Sequence, residues 1–547
     1  MELRARSLPV QLQPRRRRAP GQRRHRGGFL RQRRDGAGVA GRRGGLADGG
    51  TPGRRLRLHE LPGAGRQLLI RAGRRLQHCC EGLGRPGTAT VARGRIRVLH
   101  PRHRCPVVLS APLLLSLLGA CAPTADDFTV TADLAAEVGT VVEVRWSSTR
   151  NVDAAVLRVH DDLGETWEQD ITNGQATVWG LPPDSEVDLH VVFDLGNQEI
   201  MSDTVSVTTD PAPNWLPELL IDGDVDRALG GSLMMMSLIG SHNGAAMVDG
   251  AGRYRWWVEL PGISAPSRAR PSVDGRQVLV LPVNVDGSDD SGLQRINLDG
   301  SLGEPVVVEG QHHDFVELAD GTLAFIVHSP RREGGVEVLG DKIVEVAPDG
   351  TQTTIWDAWD WIDYNGEQPA IKGEGWIHGN ALDYDEETGQ YTLSMLGIRA
   401  MARIDRATGE MLWLMGTADS DFRLPNGSTT IIDRGHQFEF LDGSLLAFEN
   451  GDSDRASSRA VEYSFDESQP RMELLWSYEP VPSLYTFSMG DVHRLVGGAA
   501  DGDTVVDFCA NGVIHQVDAD GAVVWSMLSD LGAAFGYMSF PGPPGSF

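Results

Sequence analysis

The stretch Arg403-Ile404-Asp405-Arg406-Ala407-Thr408-Gly409-Glu410-Met411-Leu412-Trp413 reads as a strand, a tight turn and a second strand carrying tryptophan. The same pattern returns along the C-terminal two-thirds of the chain. Turn pairs fall at Asp249-Gly250, Asp299-Gly300, Asp349-Gly350, Thr408-Gly409, Asp466-Glu467 and Asp520-Gly521, 50 to 59 residues apart. Trp256, Trp356, Trp413, Trp476 and Trp525 stand in the strand after five of these six turns. A second series of turns, at Asp274-Gly275, Asp320-Gly321, Asp442-Gly443 and Asp501-Gly502, lies between them. About 50 residues is the length of one four-stranded propeller blade, so six units predict a six-bladed β-propeller over residues 214–547. Such a fold gathers loops from every blade around one channel mouth.

Upstream, residues 127–210 read as short alternating strands, among them Thr140-Val141-Val142-Glu143-Val144-Arg145-Trp146 and Val187-Asp188-Leu189-His190-Val191-Val192. Period-two alternation broken by turns predicts a small β-sandwich, and the whole chain is read as all-β. Gly180-Leu181-Pro182-Pro183 resembles the turn before a late strand in fibronectin type III and immunoglobulin-like modules. A spacer or adhesive role is expected for this part, joined to the repeating region by the stiff Pro211-Ala212-Pro213.

Charge is divided unevenly. Residues 1–105 hold 27 of the 50 Lys+Arg, all arginine, and 5 of the 75 Asp+Glu. The remaining 442 residues therefore carry 23 basic and 70 acidic side chains, a formal −47. A surface so acidic repels nucleic acid and anionic lipid, which excludes polyanion binding for the body of the chain. The arginine-rich stretch, without helical or strand period, is either a basic disordered tail or upstream DNA translated from a misplaced start. The second reading is preferred, and the segment receives no function. Residues 106–121 come next as an export signal. Arg102, His103 and Arg104 precede the apolar run Val107–Leu118, which is too short to span a bilayer. Leu118-Gly119-Ala120-Cys121 resembles a bacterial lipoprotein box, so Cys121 is expected to carry a lipid anchor, and the protein to be exported to the periplasm or outer membrane. The alternative is an ordinary signal peptide with an incidental cysteine. Cys509 is the one cysteine left in the body and is read as a buried apolar residue.

Histidines recur where successive units begin: His312-His313-Asp314-Phe315, His378-Gly379-Asn380, His436-Gln437-Phe438 and Asp491-Val492-His493. In a propeller these positions converge on the channel mouth. Clustered imidazoles suit two chemistries. They bind zinc, copper or iron, or they act covalently, a neutral imidazole attacking sulfur or phosphorus while nearby cations hold the departing oxygens.

Residues 214 to about 530 resemble the arylsulfotransferase family of periplasmic propellers. The resemblance is carried by His312–Phe315 with Leu318–Leu323, Trp376–Asp385, Arg403–Trp413 and Gly435–Phe438 with Asp442–Gly451. It implies transfer of a sulfuryl group from a phenol's sulfate ester to a second phenol, with no nucleotide donor, cofactor or metal. By this resemblance His436 is the nucleophile, and His313, His378 and Arg399 complete the catalytic set. His312, Asn380 and His493 are the expected substrate contacts. The partners implied are small phenolic sulfates and phenols, with no nucleic acid. Two departures stand out: Leu396 occupies the place of a family arginine, with Arg399 three residues later, and Gly435-His436-Gln437 replaces Gln-His-Asp. Two rival readings remain, a non-catalytic binding propeller and a metal-dependent hydrolase.

Overall fold

A computed structural model describes residues 123–284, 291–364, 366, 375–451, 457–530 and 532–543. The arginine-rich stretch, the export signal and Cys121 lie outside the described residues. Among the described residues no helix is long and apolar enough to cross a membrane. The described chain is all-β, its longest α-helix being the single turn Ala358–Trp361.

The first part is two antiparallel sheets. One pairs Phe128–Leu134, Val142–Ser148 and Gln175–Val178; the other has five strands centred on Ala154–Asp161 and Glu186–Asp194. Glu186–Asp194 alternates strictly between buried and more accessible positions, as a strand with one face on the core must. The inward set (Val187, Leu189, Val191, Phe193) packs on Val142, Val144, Leu157 and Val159 from both sheets.

From Leu219 onward the strands form six further antiparallel sheets, taken in chain order. The turns at 249–250, 349–350, 408–409, 466–467 and 520–521 each join two paired strands of one sheet. The turn at 299–300 instead follows Gln294–Asn297, the last strand of a second sheet that has three strands where four were expected. The four tryptophans Trp356, Trp413, Trp476 and Trp525 sit in the strands Gln352–Asp357, Met411–Met415, Leu474–Tyr478 and Val523–Ser529, as Trp256 does in Tyr254–Glu259. Inner strands such as Ser444–Glu449 are buried on both faces, because a neighbouring sheet covers each side, and their sequences accordingly run apolar without alternation. At Gly409 the turn has φ +65 and an added Cβ would lie 2.4 Å from the Ile355 carbonyl of the preceding sheet, so glycine permits that close approach.

Both ends of this region are tied in. Leu219–Gly223 pairs with Val523–Ser529 as the outer edge of the sixth sheet. The C-terminal strands Ala534–Phe535 and Ser539–Gly542 pair with Leu233–Ile239 of the first. The front sheets are joined to the first sheet by a shared core of Val138, Val141, Trp179, Met235, Met247 and Trp256. At this junction the buried Arg255 guanidinium reaches Glu165 at 2.6 Å, Asp249 at 2.9 Å and the Gly180 carbonyl at 2.7 Å.

Candidate functional site

The leading strands of the second to sixth sheets are Pro266–Pro271, Gln311–Glu317, Gly379–Asp385, Gly435–Leu441 and Asp491–Arg494. Near their first residues stand Ala265, His313, His378, Arg434 and Met489, all with φ between 45 and 60. A non-glycine residue in this region costs on the order of 1 kcal/mol, and five at matching places mark a backbone held for a purpose.

Just beyond them, a polar layer knits the leading strands together. The fully buried Asp314 receives Arg268 at 3.0 and 3.2 Å, the Gln437 amide at 2.8 Å and the Leu382 N–H at 3.0 Å. Arg268 also donates to the Met538 carbonyl at 3.0 Å, lies 3.8 Å from Asp491, and stacks 4.7 Å over the Tyr537 ring. Ser267 donates to the His313 carbonyl at 2.6 Å and Asn380 to the Gly435 carbonyl at 3.0 Å. Asn380 thus holds backbone beside His436, and its own Oδ1 has no partner among the described residues.

Above this layer the histidines meet. The His313 and His378 rings lie edge to face with centroids 4.8 Å apart. His313 is pushed well below its usual pKa by burial first, then by His378, His312 and His436. His378 falls to about 4, through burial and the charges of His312, His328 and Arg434, against the attraction of Asp341. His436 falls to about 3, through burial, His378 and Arg434, against its bond to Asn450. At neutral pH all three imidazoles are therefore uncharged, which is the nucleophilic and proton-accepting form.

The tautomer of His436 is set by its neighbours. Asn450 Nδ2 donates to the Thr486 and Met489 carbonyls at 3.0 and 2.8 Å, so its Oδ1 faces the histidine and accepts from His436 Nδ1–H. The lone pair is left on Nε2, which accepts the Met489 backbone N–H at 3.0 Å. Gly490 makes that turn: its φ is +138, and a Cβ there would fall 2.2 Å from the Phe448 ring.

The remaining expected residues divide between this centre and its surroundings. Arg399, with φ 52, pairs with Asp433 at 3.1 Å at the same end of the sheets. Leu396 is buried, and its N–H donates to the His378 carbonyl at 3.0 Å. His312 sits behind His313, its nitrogens used by His313 at 2.7 Å and Asp341 at 3.2 Å. His493 is elsewhere: it lies 3.5 Å from Glu439 and stacks on Phe540. Glu439 is three strand residues past His436, about 10 Å away. Beside it a cavity of about 370 Å³ is lined by Asp383, Asp385, Arg403, Phe438, Glu439 and Phe440, an acidic lining that repels sulfate esters.

Sequence reasoning missed Arg434, His328, Asp341 and Asn450. Arg434 is half-buried and acts electrostatically on both His378 and His436. Its adjacency to Gly435-His436 was the available signal. His328 and Asp341 carried none, lying in strands that otherwise read as structural.

Matches among the solved structures include a protein of unknown function from Bacteroides caccae, 13% identical, covering 56% of this chain and 98% of that one at a TM-score of 0.37. The periplasmic gluconolactonase PpgL of Pseudomonas aeruginosa is 13% identical, covering 71% and 99% at 0.34. The β-propeller domain of Myceliophteria thermophila Cps50 (Swd1) is 11% identical, covering 57% and 87% at 0.30. No curated protein matches the chain. The model of the family described as Arylsulfotransferase (ASST) matches residues 223–517, more than half of the 547. With its three neutral histidines inside that span, the chain belongs to the arylsulfotransferase family.

Proposed function

We propose that the six sheets are the blades of one propeller, fronted by a β-sandwich, and that the histidines at its channel mouth move sulfuryl groups between phenols. The observation that carries this reading is the convergence of neutral His313, His378 and His436 with the arginine Arg434. In the first half-reaction His436 Nε2 attacks sulfur, the S–O(aryl) bond breaks, and a phenolate departs. The sulfated ring becomes cationic, and the Asn450 oxygen already facing Nδ1–H stabilises that charge. Attack requires the Met489 N–H to release Nε2, at a cost of about 1 kcal/mol. The same amide then lies beside a sulfuryl oxygen and donates to it. In the second half-reaction an acceptor phenol takes the sulfuryl group and the N–S bond breaks. His378 and Arg434 flank the SO3-like group at both steps, where fixed donors are most effective, and His313 stands beside them to take the acceptor's proton. Export and anchoring through Cys121 accompany this proposal, since phenolic sulfates met outside the cytoplasm need no nucleotide donor.

The test is release of 4-nitrophenol from 4-nitrophenyl sulfate by purified protein, with and without phenol. Phenol-dependent turnover that a chelator leaves unchanged is the expected result; no turnover with several donors and acceptors would sink the proposal. One observation favours a second reading, a non-catalytic binding surface: both nitrogens of His436 are hydrogen-bonded as they stand.

Arg434 fills the electrostatic need that Leu396 leaves open. Arg434→Leu is expected to lower kcat/KM about 100-fold, the loss typical of one donor to a developing oxyanion. Arg399→Leu, removing a cation already paired with Asp433, is expected to cost less. Equal losses in the two variants would refute the assignment.

A further inference from the structure

Behind His313 lies a chain of buried polar groups that neither half-reaction has yet used. His312 and His313 belong to the leading strand of the third sheet, and His328 and Asp341 face each other across its next two strands. Asp341 is fully buried. Its Oδ2 accepts the Gly379 N–H at 2.6 Å. Its Oδ1 lies 3.2 Å from His312 Nε2 and 3.3 Å from His328 Nδ1. Burial alone would raise the Asp341 carboxyl, but His312 and His328 hold it well below the usual carboxylate range.

An ionised carboxylate only accepts hydrogen bonds, so His312 Nε2 carries a hydrogen. Burial keeps His312 neutral, at about 4, so its Nδ1 bears the lone pair. That lone pair faces His313 Nδ1 at 2.7 Å, and two nitrogens so close share one hydrogen. His313 Nδ1 is therefore the donor, and its lone pair is on Nε2. The His312 and His328 rings stack 4.0 Å apart at 16°. Ligand atoms of His312, His328 and Asp341 lie within 4.8 Å of one another, the spacing a metal ion would need, so the experiment below also tests for an ion.

We propose that Asp341 and His312 are positioning residues that hold His313 with its Nε2 lone pair exposed to the site and support the positive charge it gains as general base. This rests on the sulfuryl-transfer reading. In the second half-reaction the acceptor oxygen bonds to sulfur and the N–S electron pair returns to His436 Nε2. The phenolic proton passes to His313 Nε2, and the resulting imidazolium is stabilised through His312 by Asp341 before the proton leaves to water. The donor phenolate takes a proton from water in the first half-reaction, so the turnover balances.

Asp341→Asn is the decisive variant. It keeps an oxygen for Gly379, but its amide donates to His312 Nε2 and so reverses both imidazoles, leaving His313 with Nε2–H. His312→Phe is the second variant; it preserves the stack on His328 and removes the acceptor for His313. Long-range 1H–15N spectra of histidine-labelled protein, assigned with His313→Gln, should show His313 as Nδ1–H in wild type and as Nε2–H in Asp341→Asn. In turnover, both variants should lose about 100-fold with phenol as acceptor and only a few-fold with acidic nitrophenols, while the burst of donor phenol is unchanged. A wild-type His313 bearing Nε2–H would overturn the proposal. So would an equal loss with every acceptor, or a stoichiometric ion that Asp341→Asn removes. A wild-type protein that transfers no sulfuryl group would refute the sulfuryl reading alone, because the spectra judge the tautomer without turnover.

Discussion

Replacing His436 with alanine is expected to lower sulfuryl transfer at least about 10⁴-fold, while the protein still folds. The magnitude reflects removal of a nucleophile, for which nearby donors and bound substrate compensate only in small part. Wild type should also keep its activity to unusually low pH. An exposed imidazole is half-protonated near 6.5. Here burial and neighbouring charge pull His436 to about 3 and His378 to about 4. The acid limb of kcat/KM is therefore expected near pH 4, and a limb near 6.5 would show that another base governs the reaction. Stability runs the same way. Between about pH 6.5 and 4 the unfolded chain binds protons that the folded one refuses. The contribution of these histidines is thus complete above 6.5 and is lost as the pH falls toward 4. Rate and unfolding measured across that window separate loss of the nucleophile from loss of the fold.

Arg268→Leu should destabilise the protein by about 3–5 kcal/mol, the range for stripping one partner from a buried ion pair. Arg268 is 4% exposed and Asp314 is fully buried; without the guanidinium, Asp314 keeps its neutral donors and, of its two countercharges, only Arg270. Asp491, pushed up to about 6 by burial and held down chiefly by Arg268, loses the same support. Tyr537 loses the cation over its ring. The measurement is the midpoint of urea unfolding. A shift equivalent to less than about 1 kcal/mol would mean that the polar layer contributes little to holding the leading strands together.

The strand order was largely legible from the chain. Turn glycines such as Gly350 and Gly443, with φ +84 and +78, announce reversals because few other residues adopt them cheaply, and tryptophans mark the strands after them. His313, His378 and His436 were legible for a related reason: each stands where an apolar strand begins, a place that packing does not require to be polar. The rest depended on distance in space. Asp341 and His328 lie in an 11-residue hairpin pair whose other positions are ordinary strand residues. Only the register His328↔Asp341, together with the irregularity between His312 and Phe315, brings them to His312. His493 shows the converse. It looked equivalent to the others because it comes just after Gly490 and Asp491, but two residues along a strand carry a side chain about 7 Å away from the entry.

The Arg255 junction bears on how this architecture can be altered. Its guanidinium is 1% exposed and depends on Glu165 and the Gly180 carbonyl from the front sheets as well as on Asp249 from its own. A chimera carrying an unrelated leading module would leave that cation without Glu165 in a site closed to water. A truncation at Pro211 would bare the apolar surface that Val138, Val141 and Trp179 now cover. The boundary drawn by Pro211-Ala212-Pro213 is thus a seam in the sequence but not in the molecule, and the two parts have to be inherited, expressed and engineered together.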